Sequence, residues 1–266
     1  MSVLVVIPAR YASSRFPGKP LENLTGATGV AKTLIRRSWE AAAAAVGIDR
    51  LIVATDDIRI REEVESFDGE CIMTSSACGN GTERCAEAVE IFGDYFDIII
   101  NLQGDAPLTP PWFVEDLVAA MRQAPASEVA TPVIRCDGRA HADFRSDRSR
   151  GLVGGTTAVF DDQNRALYFS KEVIPWTGED YLPDEPTPVF HHVGVYGYRP
   201  DALRSYSELR PGRLERLEGL EQLRFLEAGI PILCVEVDGK GQAFWEVNNP
   251  EDIKRVEAGL AAVGIE

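Results

Sequence analysis

Residues 3–7 are an unbroken apolar run, VLVVI, the pattern of a strand buried on both faces. Pro8 is expected to end it, because proline cannot donate to a sheet ladder. Residues 30–46 read as a helix, with a run of alanines and Gly47 as its stop. Residues 51–54 form a second short apolar run, followed by an Asp-capped helix that ends at Ser66, and residues 70–73 form a third strand. Asn80, Gly81 and Thr82 open a helix over 83–91. Residues 96–102 are a further apolar strand, and Pro110 or Pro111 starts a helix reaching Met121. Residues 129–134 are again strand-like. Short apolar strands alternating with longer helices predict an α/β fold with a mostly parallel sheet flanked by helices.

The second half is less regular. Residues 136–150 are polar without a clear period and predict a surface loop or short irregular helix. Residues 152–160 and 166–169, separated by the turn Asp161-Asp162-Gln163-Asn164, predict a hairpin. Residues 175–188 are rich in Pro, Asp and Glu and predict a loop, residues 191–198 one strand, and residues 200–206 a short helix. Leu214, Leu217, Leu220, Leu223 and Leu226 predict one continuous helix ended by Gly229. A core strand over 230–237 and a C-terminal helix starting at Pro250 complete the reading. The organisation expected is a nucleotide-binding portion over 1–135, an interleaved region over 136–211 for acceptor recognition and dimer contact, and a return to the α/β core over 212–266.

Composition narrows the partners. The formal net charge of −15 argues against nucleic acid and anionic membrane surfaces, though a small anion reads only the local potential of a cleft. The five cysteines form no CxxC pair and are odd in number, so a disulfide framework is not expected and a reducing compartment fits. No signal peptide or membrane-length apolar run is evident, and a cytoplasmic protein is expected.

Against that acidic background, residues 8–21 stand out. They carry Arg10, Arg15 and Lys19 with Ser13, Ser14 and Gly18, and no acidic residue precedes Glu22. A buried strand delivering such a loop suits phosphate at the carboxyl edge of an α/β sheet; a solvated basic loop is the other reading. Asp105, just past the strand over 96–102, is placed for a ligand crevice, or else caps the following helix. Asn80-Gly81-Thr82 offers helix N-terminal donors, or is an ordinary cap. Together, guanidinium and ammonium groups, a carboxylate able to hold Mg²⁺ and oriented N–H donors are what a polyphosphate substrate requires. P-loop, dinucleotide-binding, serine-hydrolase and zinc-hydrolase motifs are all absent from the sequence. Adjacent His191 and His192 on one strand are expected to face opposite sides.

The sequence resembles the 3-deoxy-manno-octulosonate (Kdo) cytidylyltransferases of the CMP-sugar synthetase class. The matching stretches are IPARYASSRFPGKPL (7–21), VATDD (53–57), GTER (81–84), NLQGDAPL (101–108), ALYFSK with IPW (166–176), HHVGVYGY (191–198), LEGLEQLR (217–224) and NPEDI (249–253). The resemblance implies a Rossmann-like nucleotidyltransferase sheet, a cytoplasmic homodimer and a role in lipopolysaccharide biosynthesis. It implies that Arg10, Arg15 and Lys19 contact the phosphates of CTP, with Pro8, Ala9, Ser14, Asn80, Gly81, Thr82, Arg84 and Gln103 completing the nucleotide site. Asp105 would hold catalytic Mg²⁺, and His192, Tyr196 and Gln222 would bind a 2-keto-3-deoxy sugar acid. Its anomeric hydroxyl would attack the α-phosphorus of CTP and release pyrophosphate.

Two departures qualify the resemblance. The family's VDTPED-like segment carries a second metal-binding aspartate, whereas this chain reads Val247-Asn248-Asn249-Pro250-Glu251-Asp252. Asn248, a weaker neutral donor, therefore stands in the acidic position, and Glu246 is the substitute if the loop over 238–247 folds across the site. Residues 150–155, RGLVGG, replace a lysine-bearing strand, which points to a modified or different acid as acceptor. A cytidylyltransferase for another acidic sugar and a catalytically weak sugar-nucleotide sensor are the alternatives.

Overall fold

The computed structural model describes residues 1–12, 16–152, 155–242 and 244–266. The strands are β1 (Val3–Ala9), β2 (Asn23–Thr25), β3 (Ala31–Thr33), β4 (Arg50–Thr55), β5 (Cys71–Met73), β6 (Ile98–Leu102), β7 (Val129–Asp137), β8 (Thr156–Phe160), β9 (Ala166–Ser170), β10 (Pro186–His192), β11 (Val195–Tyr198) and β12 (Ile232–Glu236). The helices are α1 (Leu34–Ala43), α2 (Ile58–Ser66), α3 (Gly81–Phe92), α4 (Pro111–Gln123), α5 (Gly138–Ser149), α6 (Pro200–Glu208), α7 (Arg213–Glu218), α8 (Leu223–Glu227) and α9 (Asp252–Ala262). Among the described residues, no helix is long and apolar enough to cross a membrane.

The expected parallel part is present: β4 and β6 flank β1 in parallel, and β5 extends the sheet beyond β4. Beyond β6 the character changes. β11 joins β6 and β7 antiparallel, β10 joins β7 and β8 antiparallel, and β12 returns to parallel pairing against β7. The sheet is therefore mixed. Val3, Val5 and Ile7 pack into one buried cluster and Leu4 and Val6 into another, as expected of a strand covered on both faces.

Several boundaries differ from the sequence reading. Strand β1 runs past Pro8 to Ala9, paired with β4 throughout, while its register with β6 stops at Val6. Proline is tolerated there because one side of the strand is already open. Residues 138–149, expected as a surface loop or short irregular helix, form a full 12-residue helix. Asp137 caps it by accepting from Ala140 N, but its buried positions are Gly138 and His141 alone, too few to give an apolar period. The single strand expected over 191–198 is interrupted at Val193-Gly194, where Thr131 of β7 donates to the carbonyl oxygens of Val193 and Val195.

The expected leucine helix is also broken. Helix α7 ends at Gly219, whose φ of 63° lies in the left-handed region, before α8 begins. A strict three-residue repeat does not keep to one face of a 3.6-residue helix. Leu217 is 71% exposed while Leu223 and Phe225 are buried.

Candidate active site

The opening segment is built to aim Lys19. Gly18 N donates to Tyr11 O, and Gly18 adopts a φ of 75° before the short 3-10 turn Lys19–Leu21. A side chain there would meet the Tyr11 ring at 3.2 Å, so glycine answers both the backbone and the space. Arg59 stacks over the same ring, 3.3 Å from its centroid. Lys19 Nζ then donates to Asp105 Oδ2 at 2.5 Å and to Val247 O at 2.8 Å. Asp105 accordingly does not cap α4, whose N-cap is Pro110.

The nucleotide-side residues converge at the ends of β1 and β6. A Cβ on Gly81 would lie 3.2 Å from Pro8 Cγ and 3.5 Å from Gln103 Nε2, and one on Gly104 would lie 2.9 Å from Pro8 O. Ala9 is buried at the end of β1. Arg10 reaches Gly79 O at 3.3 Å. Asn80 is the N-cap of α3, accepting from Glu83 N, and its amide donates to the Tyr206 hydroxyl. Thr82 Oγ1 contacts the Tyr198 hydroxyl at 3.2 Å. Arg84 does not join this group: its guanidinium is buried against Thr74 and Asp56. Ser14 and Arg15 lie outside the described residues.

The acceptor-side residues line one cavity of about 460 Å³, which also includes Gln103, Asp105, Glu246 and Asn248. His192, Tyr196 and Gln222 are all in its wall. His192 Nε2 lies 3.0 Å from Thr131 Oγ1, and burial pushes its pKa down to about 3, so the imidazole is neutral. Burial also lowers His191 to about 4. Both histidines reach the cavity, which opens where β10 ends. Burial, assisted by neighbouring carboxylates, raises the Tyr196 phenol well above its usual value. Gln222 is 2% exposed, and among the described residues its Nε2 has no hydrogen-bond partner; such a buried donor is a place for a ligand oxygen.

The loop between β12 and α9 covers this cavity with Phe244, Trp245 and Glu246. Phe244 packs on Phe113 and His191, and Arg255 lies over the Trp245 ring. Burial first, and the Asp105 charge second, raise Glu246 to about 7, opposed by a hydrogen bond from Asn248 and the charge of Lys19. Among the described residues, no group of three or more His, Cys, Asp or Glu is arranged to hold a metal ion. Asp105, Glu246 and Asn248 nevertheless place two carboxylates and an amide oxygen on one cavity. A hard-oxygen set with few protein ligands fits Mg²⁺, which retains waters and takes phosphate oxygens as its remaining ligands.

Three contributors were not evident from the sequence. Gly194 leaves room for Glu246, whose Oε1 would lie 2.8 Å from a Cβ at that position. Thr131 fixes both the strand break and His192. Glu221 lines the cavity and accepts from Thr82 N; its position beside Gln222 is the one signal that was available.

Known proteins resemble this chain along nearly its whole length. The cytidylyltransferase family profile matches residues 4–232. The 3-deoxy-manno-octulosonate cytidylyltransferase of Maricaulis maris (strain MCS10) is 47% identical over 99% of both chains. The 8-amino-3,8-dideoxy-manno-octulosonate cytidylyltransferase of Shewanella pealeana (strain ATCC 700345 / ANG-SQ1) is 41% identical over 98% of this chain and 99% of its own. The structure of CMP:2-keto-3-deoxy-manno-octonic acid synthetase complexed with CTP superposes with a TM-score of 0.82 at 36% identity, covering 99% of this chain and 100% of that one. The fold and these matches define a nucleotidyltransferase of the cytidylyltransferase class. Within it, the chain belongs to the 3-deoxy-manno-octulosonate cytidylyltransferase family.

Proposed function

We propose that the chain transfers CMP from CTP to the anomeric hydroxyl of Kdo or a closely related 2-keto-3-deoxy sugar acid. The anomeric hydroxyl gives up its proton to solvent as its oxygen forms a bond to the α-phosphorus, the bond from that phosphorus to the β-phosphate bridge breaks, and pyrophosphate leaves with the electron pair. The observation that supports this reading is the cavity shared by Asp105 and Gln103 with His192, Tyr196 and Gln222, in which an acceptor would lie beside the Asp105 carboxylate. Arg10 and Lys19 supply positive charge for the triphosphate. At the start of α3, Thr82 N and Glu83 N are already taken by Glu221 and Asn80, so Gly81 N is the backbone donor offered to the nucleotide there. Gln222 donates to an acceptor oxygen, and neutral His192 and Tyr196 wall the sugar.

Asp105 and Glu246, with the Asn248 amide, would hold Mg²⁺. When bound it offsets charge on the phosphate oxygens. The reaction is assigned to the cytoplasm; the five free cysteines are consistent with a reducing compartment. A homodimer is proposed through the middle of the chain, where Leu152, Leu167, Trp176 and Leu182 are more than half exposed. Light scattering after size exclusion should then give twice 29.2 kDa; a monomer would reject the dimer.

The test is pyrophosphate release with CTP, Mg²⁺ and either Kdo or its 8-amino-8-deoxy analogue, the acids that appear in the names of the two relatives. Turnover with at least one is expected. Tight CTP binding with no turnover on any ulosonic acid would favour the sensor instead.

A further inference from the structure

Glu221 lies in the break between α7 and α8 and lines the acceptor cavity next to Gln222. Its carboxylate is also engaged outside that cavity: Oε2 accepts from Thr82 N, in the first turn of α3, at 3.2 Å. Two more side chains tie the same break to that turn. Arg224 is held by both Glu215 carboxylate oxygens and donates to Glu83 Oε1 at 3.1 Å, while Tyr206 accepts from the Asn80 amide and lies 3.5 Å from Glu221 O. Of the three, Glu221 is the one that also lines the cavity.

The break thus lies between the cavity and the first turn of α3. Gln222 presents a buried, unpartnered Nε2, so an acceptor oxygen that takes this donor fixes residues 219–222. Fixing them also fixes the Glu221 carboxylate and, through its bond from Thr82 N, the first turn of α3. We propose that Glu221 is a positioning residue through which the acceptor in the cavity and the nucleotide at the first turn of α3 strengthen each other's binding. The inference rests on the assignment of the two sites made above. The first ligand removes conformational freedom that the second would otherwise have to remove, and the effect is equal in both directions.

Titration calorimetry of the full chain with α,β-methylene-CTP, whose bridge at the α-phosphorus cannot be cleaved, measures the effect without turnover. With saturating Kdo present, the wild type should bind the analogue about fivefold more tightly or better. Glu221→Ala should bring that factor to about one. Glu221→Gln should keep most of it, because the amide oxygen still accepts from Thr82 N, whereas Glu221→Asp, one methylene shorter, should lose it. The Gln and Asp variants decide the matter if the Ala variant does not fold. A wild-type factor of one, or an undiminished factor in Glu221→Asp and Glu221→Ala, would overturn the inference even with pyrophosphate release intact. Absence of Kdo binding or turnover in the wild type would instead remove the functional reading beneath it.

Discussion

Lys19 Nζ lies 2.5 Å from Asp105 Oδ2, with the two side chains only 15% and 23% exposed. The same ammonium donates to Val247 O, and Val247 N donates back to Asp105 O. One cation therefore joins the opening loop, the end of β6 and the segment that carries Glu246 and Asn248. This pairing offsets the Asp105 charge in the free protein, and in the proposed function both groups would turn to triphosphate and metal.

Removing either partner should be worse than removing both. Asp105→Asn or Lys19→Met alone leaves a partly buried charge unpaired and should cost about 2 kcal/mol of stability, with the double variant recovering part of that. Activity should not recover: each single variant and the double variant should lose about 10²-fold or more in kcat/KM. Denaturant melts and pyrophosphate release on the same samples separate the two effects. Normal turnover by Asp105→Asn at ordinary Mg²⁺ would remove Asp105 from the site.

Gly194 supplies a sharper test of Glu246. A Cβ there would come within 2.8 Å of Glu246 Oε1, the far end of a flexible side chain, so the carboxylate should yield while the fold stays. Gly194→Ala should leave the melting temperature within a few degrees of wild type and raise the Mg²⁺ concentration needed for half-maximal rate severalfold. An unchanged Mg²⁺ requirement would mean that Glu246 is not a metal ligand.

Glu246 should also leave a signature in the metal-free protein. Its carboxyl keeps its proton to about pH 7 when folded, against an ordinary value of 4.5. Between those values the folded chain binds more protons than the unfolded chain, so this group makes stability fall as pH rises from about 4.5 to about 7. Glu246→Gln removes that slope. Melts in EDTA should show the variant gaining on the wild type across this window and holding a constant lead above it. A lead that shrinks with rising pH would contradict the buried, Asp105-facing position.

Much of the nucleotide side was legible in the sequence because it is local. The apolar run into β1, the Asp57 cap of α2, the Asn80 cap of α3 and the carboxylate after β6 are each read from a few consecutive residues, and the structure shows each. The acceptor side was legible through resemblance and less through pattern. Helix α5 is polar on nearly every face, so no period announced it. Thr131 and Gly194 act across strands, where spacing along the chain carries no information. Glu246 was suspected because Asn248 replaced an acid; the contact with Gly194 required the fold.

The broken leucine helix gives the last prediction. Gly219 adopts a left-handed backbone conformation, φ 63°, and the chain then turns Leu220, Glu221 and Gln222 to the cavity instead of continuing the helix. Among the described residues a Cβ there would meet only Lys171 Nζ, at 3.0 Å, the far end of a flexible side chain, so the cost of Gly219→Ala is conformational, about 1 kcal/mol. Because the residues after the break face the acceptor, that strain should appear mainly there. Gly219→Ala should lower stability by that amount and raise the KM for Kdo severalfold while changing the KM for CTP less. Gly229, also left-handed but with no described residue within 4 Å of a Cβ, is the control. Gly229→Ala should cost similar stability and leave both KM values alone. Equal changes in the two glycine variants would show that the break matters for folding and not for placing the acceptor.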